Sequence, residues 1–154
     1  MTFYSAIKAF HIMAAFAAYG LPFAYPFLLP YLHRHHPRAL PGVHDIQHRL
    51  NKVLTGPGTV LLFIFGAYMA TKDHLWSEPW VDVPIAILAV IVVAGGLIVR
   101  WTGELATLST TDLSSGTTFS AEYSATYRRY MLTETTLGLL VLIAIFFMTA
   151  KPFS

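Results

Sequence analysis

The stretch FYSAIKAFHIMAAFAAYGLPFAYPFLL, residues 3–29, decides the fold class. It is apolar enough to span a bilayer, and at roughly 1.5 Å per residue it is long enough for one crossing. Lys8 and His11 interrupt it near its start. Ionisable groups inside a spanning helix are costly, about 2.5 kcal/mol upward for Lys at the centre, so they face a bundle interior or snorkel to an interface. Pro22, Pro26 and Pro30 crowd the second half. Each lacks a backbone donor, which predicts a kink near Pro22 and an end to the helix by Pro30. His11, Ala14, Ala15 and Ala18 share one face, where a helix or a flat ligand could approach closely. No basic region precedes the run and it continues past a typical signal-peptide core, so it reads as a retained helix.

Working outward, three more apolar runs cover about 53–71, 83–101 and 131–150. The chain has 154 residues, of which 55% are hydrophobic and only 12% charged. Its mean hydropathy is +0.57. These figures predict an all-α, polytopic membrane protein: a four-transmembrane-helix bundle forming one integral membrane domain over 1–154. There is no cysteine, which excludes disulfides, thiolate metal sites and thiol catalysis. A net charge of +2 is too small to imply nucleic-acid binding.

The polar segments set the orientation. Residues 31–52, YLHRHHPRALPGVHDIQHRLNK, hold five of the seven histidines together with Arg34, Arg38, Arg49 and Lys52. Pro37, Pro41 and Gly42 break the first half. Val43, Ile46, Leu50, Val53 and Leu54 then follow helical spacing, which predicts a short amphipathic helix leading into the second run. Thr55-Gly56-Pro57-Gly58 should bend the second run, and Gly66 and Ala70 form a small-xxx-small pair suited to helix contact. Trp76 and Trp80 suggest an interfacial aromatic belt. Asp82 reads as an N-cap with Pro84 in the first turn, and Gly95 and Gly96 read as close-packing positions. The Ser/Thr-rich stretch 102–118 reads as a polar connection, with helix resuming near Phe119. Basic residues concentrate in 31–52 and 102–130 and their flanks. The positive-inside rule therefore places both in the cytoplasm and both termini outside, as expected of a multi-pass protein of the bacterial inner membrane.

Several residues could carry chemistry. His11 facing a narrow bundle suits an axial haem ligand, or equally a hydrogen bond to a neighbouring helix. Lys8 could neutralise a haem propionate or snorkel to the interface. His33, His35 and His36 cluster, and His44 and His48 stand four apart on one helical face, a spacing that suits a shared Zn or Cu ion. The alternative is a solvated basic loop contacting anionic headgroups. Glu134, near the start of the last run, calls for an ion pair with Arg49, Arg100 or Arg128. There is no phosphate-binding glycine loop, serine elbow or HExxH signature.

Ile7-Lys8-Ala9-Phe10-His11-Ile12, followed by the aromatic and proline segment ending Tyr31-Leu32-His33, resembles the first helix of HemJ-type protoporphyrinogen oxidases. His48-Arg49-Leu50 through Pro57, then Gly66, looks like that family's second-helix entry. Arg129 to Glu134, followed by apolar residues to Lys151-Pro152, is similar to its last helix. CopD-like and other small bacterial integral membrane proteins share the plan. The resemblance implies haem b, with His11 on the iron and Lys8, Arg49 and Glu134 as further cofactor-binding residues, and a redox or haem-biosynthetic role. The third run carries no histidine, Thr133 stands where the family has Asn, and threonine follows Glu134 where it has proline. The implied haem is therefore five-coordinate or takes an unexpected second ligand. That departure motivates one alternative, a non-catalytic accessory subunit of a larger membrane complex; the histidine-rich segment with Lys8 and His11 motivates another, a small transporter or metal-handling protein. The expected partners are the bilayer, haem or a porphyrin, and a larger complex or a homo-oligomer.

Overall fold

The structure, a computed structural model, describes residues 2–116 and 118–152, so the ends of the 1–154 domain and Thr117 of the 102–130 segment lie outside the described residues. Helix α1 (Phe3–Tyr19) starts at Thr2, whose hydroxyl accepts from the Ser5 N–H at 3.2 Å. A short 3-10 turn at Pro22–Ala24 joins it to α2 (Tyr25–His35), and the two are bent by 41°. The kink at Pro22 follows from its missing N–H. Pro30 does not end the helix. It lies inside α2, which gives up one ladder bond there and runs on to His35.

A 3-10 turn (Pro37–Ala39) leads into α3 (Leu40–Leu50), then a π-helical turn (Asn51–Thr55) and α4 (Gly56–Lys72). The Thr55–Gly58 stretch is thus not a break. The wide turn lets the Gly56 N–H reach the Asn51 carbonyl, and Pro57 sits in the first turn of α4, where its missing donor costs little. Helix α5 (Pro79–Ser115) begins ahead of the expected Asp82 cap, at Pro79. Helix α6 (Ala121–Ala150) begins at Ser120, whose hydroxyl accepts from the Tyr123 N–H.

The Ser/Thr-rich stretch expected as a connection is helix. Its hydroxyls bond back to carbonyls one turn earlier, as Thr107 does to Gly103, Ser109 to Leu105 and Thr110 to Ala106. These bonds satisfy the side chains without competing for the backbone N–H groups. The chain reverses over a few residues, where Asp112 accepts from the Ser120 N–H at 2.8 Å.

Three helical stretches, Pro37–Lys72, Pro79–Ser115 and Ala121–Ala150, are long and apolar enough to cross a membrane, and the bent α1–α2 pair makes a fourth. The molecule is an all-α polytopic membrane protein. The long helices exceed a bilayer's hydrocarbon core of about 30 Å, so they extend beyond it. These extensions, with α3, form a helical head at the basic end. Helix α1 lies along α4, α5 along α6 and α3 along α5.

Much of the outer surface is apolar, unlike that of a soluble protein. Phe16 and Val93 are 79% and 76% exposed, on faces that meet lipid. The expected helix forms as α3, and its apolar spacing divides: Val43 packs on the buried core and Ile46 is exposed, while Leu40, His44, Gln47 and, just beyond the helix, Asn51 are buried. One buried cluster joins Tyr25, Leu29, Leu40, Leu105, Tyr123 and Tyr130 in the head. A second joins Ala18, Tyr19, Ile87, Ile91 and Val141 in the span. The α1–α4 contact needs small residues. A Cβ on Gly58 would stand 3.0 Å from the Ala18 Cβ, and one on Gly66 3.0 Å from the His11 Cε1. Of the two tryptophans expected in an interfacial belt, Trp76 is exposed and donates to Thr71, while Trp80 is buried beneath Lys151.

Candidate functional site: a cavity between the helix pairs

Between the α1–α4 and α5–α6 pairs lies a cavity of about 400 Å³. Ile91 and Ile98 of α5 and Leu137 and Val141 of α6 supply apolar walls. Gly95 and Gly96, expected to close a helix contact, line this space, and a Cβ on either would meet nothing within 4 Å.

Five polar side chains reach the cavity: Tyr19, Asn51, Thr55, Thr59 and Glu134. Asn51, Thr55 and Thr59 recur every fourth residue, so the π turn and α4 present them on one face. Thr59 donates to the Thr55 carbonyl at 2.7 Å. Its single proton is thereby used, so the Tyr19 hydroxyl, 2.8 Å away, donates to Thr59. Thr55 donates to the Asn51 Oδ1 at 3.4 Å. The Asn51 Nδ2 is buried with no partner among the described residues, in a side chain that is 4% exposed.

Glu134 is 6% exposed. The expected ion pair to an arginine does not form. The ion pairs among the described residues are Arg49 to Asp45 at 2.9 Å and Arg100 to Glu104 at 2.8 Å. Each is a one-turn pair on the solvated surface, which spares the arginines a desolvation penalty that burial beside Glu134 would impose. No side-chain hydrogen bond among the described residues reaches the Glu134 carboxyl. The cavity thus holds one acidic group and one amide donor with unused bonding capacity. Leaving the buried Asn51 Nδ2 unmet costs about 1–3 kcal/mol, and the Glu134 carboxyl borders the same space.

The other sequence candidates lie elsewhere. Lys8 is exposed on α1 near the end opposite the head. His11 is half-buried on Gly66 of α4, with its Nδ1 unpartnered among the described residues, and it does not line the cavity. Arg49 is exposed. Of the four residues the resemblance would gather round a haem, Glu134 alone lines the cavity. In this structure Gly66 of α4 lies against the His11 ring, on the face where the resemblance would put a haem.

His44 and His48 have separate hydrogen-bond partners. His44 is fully buried in the head, outside the apolar spans. Its Nδ1 lies 2.8 Å from the Gln47 Oε1, its Nε2 3.0 Å from the Tyr123 hydroxyl, and Gln47 donates on to the Tyr130 hydroxyl at 3.0 Å. An amide oxygen only accepts, so His44 Nδ1–H donates and Nε2 accepts from Tyr123. Burial pushes this imidazole down to about 4, so it is neutral at pH 7. His48 instead donates its Nδ1–H to the Val99 carbonyl at 2.9 Å. Among the described residues no group of three His, Cys, Asp or Glu side chains is placed to hold a metal.

Asn51, Thr55, Thr59 and Tyr19 are not among the site residues the sequence suggests. Their signal was the four-residue spacing of three polar side chains entering an apolar run. Comparison with curated proteins and with solved structures gives no match. A family model does match, over residues 5–152, and with nearly the whole chain covered this protein belongs to the family described as "Predicted integral membrane protein (DUF2269)".

Proposed function

We propose that this membrane protein binds a lipophilic small molecule at bilayer depth, in the cavity between its helix pairs. One observation carries the reading: Glu134 and Asn51 border the same apolar-walled space, and neither the carboxyl nor the Nδ2 has a protein partner among the described residues. Such a site takes an apolar body against Ile91, Leu137 and Val141 and a polar end that both donates and accepts. On this reading the chain is a binding or transport protein of the membrane. The test is methyl NMR of Ile91 and Ile98 in lipid nanodiscs, titrated with decanol, which donates and accepts, and with decane, which does neither. Decanol should bind about tenfold more tightly, as one well-made hydrogen bond allows, and Asn51→Ala/Glu134→Ala should abolish the difference. Equal responses to both probes would end this reading.

A second reading follows the HemJ-type resemblance: a b-type haem protein with a redox or haem-biosynthetic role. The unpartnered Nδ1 of His11 favours it. It requires α1 and α4 to part, since Gly66 now lies against that ring. Haem when bound would supply redox chemistry, while the chain would contribute the imidazole. A Soret band in purified protein, lost in His11→Ala, is the expected result on this reading. Colourless protein from haem-supplied cells would dismiss it.

A further inference from the structure

A second cleft, also of about 400 Å³, opens at the basic end between α2 and α6, where the head meets the apolar span. Its upper wall carries His33 and Arg34 from α2 and Tyr127 and Arg128 from α6. Pro30, Met131 and Leu132 continue it toward the membrane as an apolar floor.

Four observations give it chemistry. Neither Arg34 nor Arg128 takes part in an ion pair among the described residues, so both cations are free for a ligand. The Tyr127 hydroxyl is buried without a partner among the described residues, and it lines the same cleft. His33 is held in place by rings on α6 and just before it, with centroids 5.1 Å from Phe119 and 5.3 Å from Tyr127, so one wall is preorganised. The cleft is basic above and apolar below, the profile of a headgroup joined to an acyl chain.

We propose that this cleft binds the phosphate of an acidic phospholipid in the leaflet at the basic end. The Arg34 and Arg128 guanidiniums meet the phosphate oxygens, Tyr127 donates to one of them, and an acyl chain runs down over Met131 and Leu132. Arginine suits this task because its planar fork meets two phosphate oxygens at once. Basic pockets beside membrane helices recognise anionic headgroups by the same electrostatics. The cleft is separate from the Glu134 cavity, so the two proposals stand or fall independently.

Native mass spectrometry of the full chain, released from nanodiscs, tests the proposal. The nanodiscs hold equal phosphatidylglycerol and phosphatidylcholine. Wild type should retain one phosphatidylglycerol in preference to phosphatidylcholine. Arg34→Ala/Arg128→Ala should lose that preference by about 30-fold, and Tyr127→Phe by about fivefold. Both arginines are exposed, so the variants keep their fold, which circular dichroism checks. Arg38→Ala, outside the cleft, serves as the control. A double variant that loses no more than Arg38→Ala overturns the proposal, because the attraction would then belong to the whole basic end. Inorganic phosphate that displaces the lipid at equal concentration also overturns it, because the apolar floor would then contribute nothing.

Discussion

The head and the cavity bury polar groups in opposite ways. In the head, Tyr123, His44, Gln47 and Tyr130 form one continuous chain in which each named group meets a partner. In the cavity, the Glu134 carboxyl and the Asn51 Nδ2 have no side-chain partner among the described residues. The two regions are neighbours, with Tyr130 one helical turn before Glu134 and Gln47 one turn before Asn51. A satisfied network rigidifies, whereas unsatisfied groups in an apolar wall store binding capacity at a cost in stability. The head therefore reads as scaffold and the cavity as site, the reverse of what the density of histidines suggests.

The largest effect expected of that contrast is in the head. His44→Ala removes a fully buried ring and orphans both Tyr123 and Gln47, and should cost about 3–5 kcal/mol of stability, read by denaturant unfolding in detergent. A loss below about 1 kcal/mol would mean that the network is not structural.

Next comes pH. The folded-state value of His44, about 4, lies below its unfolded value near 6.5. Between the two the unfolded chain binds the extra proton, so this contribution is whole above pH 6.5 and drains away as pH falls toward 4. The loss reaches about 3 kcal/mol at the lower end. Melting temperature should fall from pH 7 to pH 5 in wild type and stay flatter in His44→Asn. Equal slopes would show that the head's stability does not hang on this imidazole.

Glu134→Gln tests the other half of the comparison. No protein partner is lost, so stability should change by less than about 1 kcal/mol, while the decanol response of Ile91 weakens. A destabilisation as large as that of His44→Ala would show Glu134 to be as firmly partnered as the head. Smallest of all, Asp45→Ala breaks an exposed one-turn pair with Arg49 and should cost under about 0.5 kcal/mol in the same unfolding assay.

Much of the fold was legible. The four apolar runs, the break at Pro22 and the Gly66/Ala70 contact follow from hydropathy, proline chemistry and side-chain size. Two features were not. The 102–115 stretch reads as loop because Ser and Thr have weak helix propensity, yet back-bonding to carbonyls lets α5 run through it. The apolar spacing of α3 marks the helix but not its buried face, since Val43 packs on the core and Ile46 is exposed while the polar His44 and Gln47 turn in. For the site, Glu134 was legible as a costly carboxylate at depth. Asn51 and the threonines carry no charge and drew no attention, and no sequence pattern tells a histidine that binds an ion from one whose two nitrogens are already engaged.

The π turn at Asn51–Thr55 has a consequence for the molecule as a whole. It inserts one extra residue into the winding between α3 and α4. A residue on a helix corresponds to about 100° of rotation. Winding the same residues as ordinary α-helix, with none removed, would turn α3 by about that angle relative to α4. His44 would then swing off Tyr123 while Asn51 left the cavity. A single residue of phase thus keeps the head and the cavity aimed at the same side of the chain.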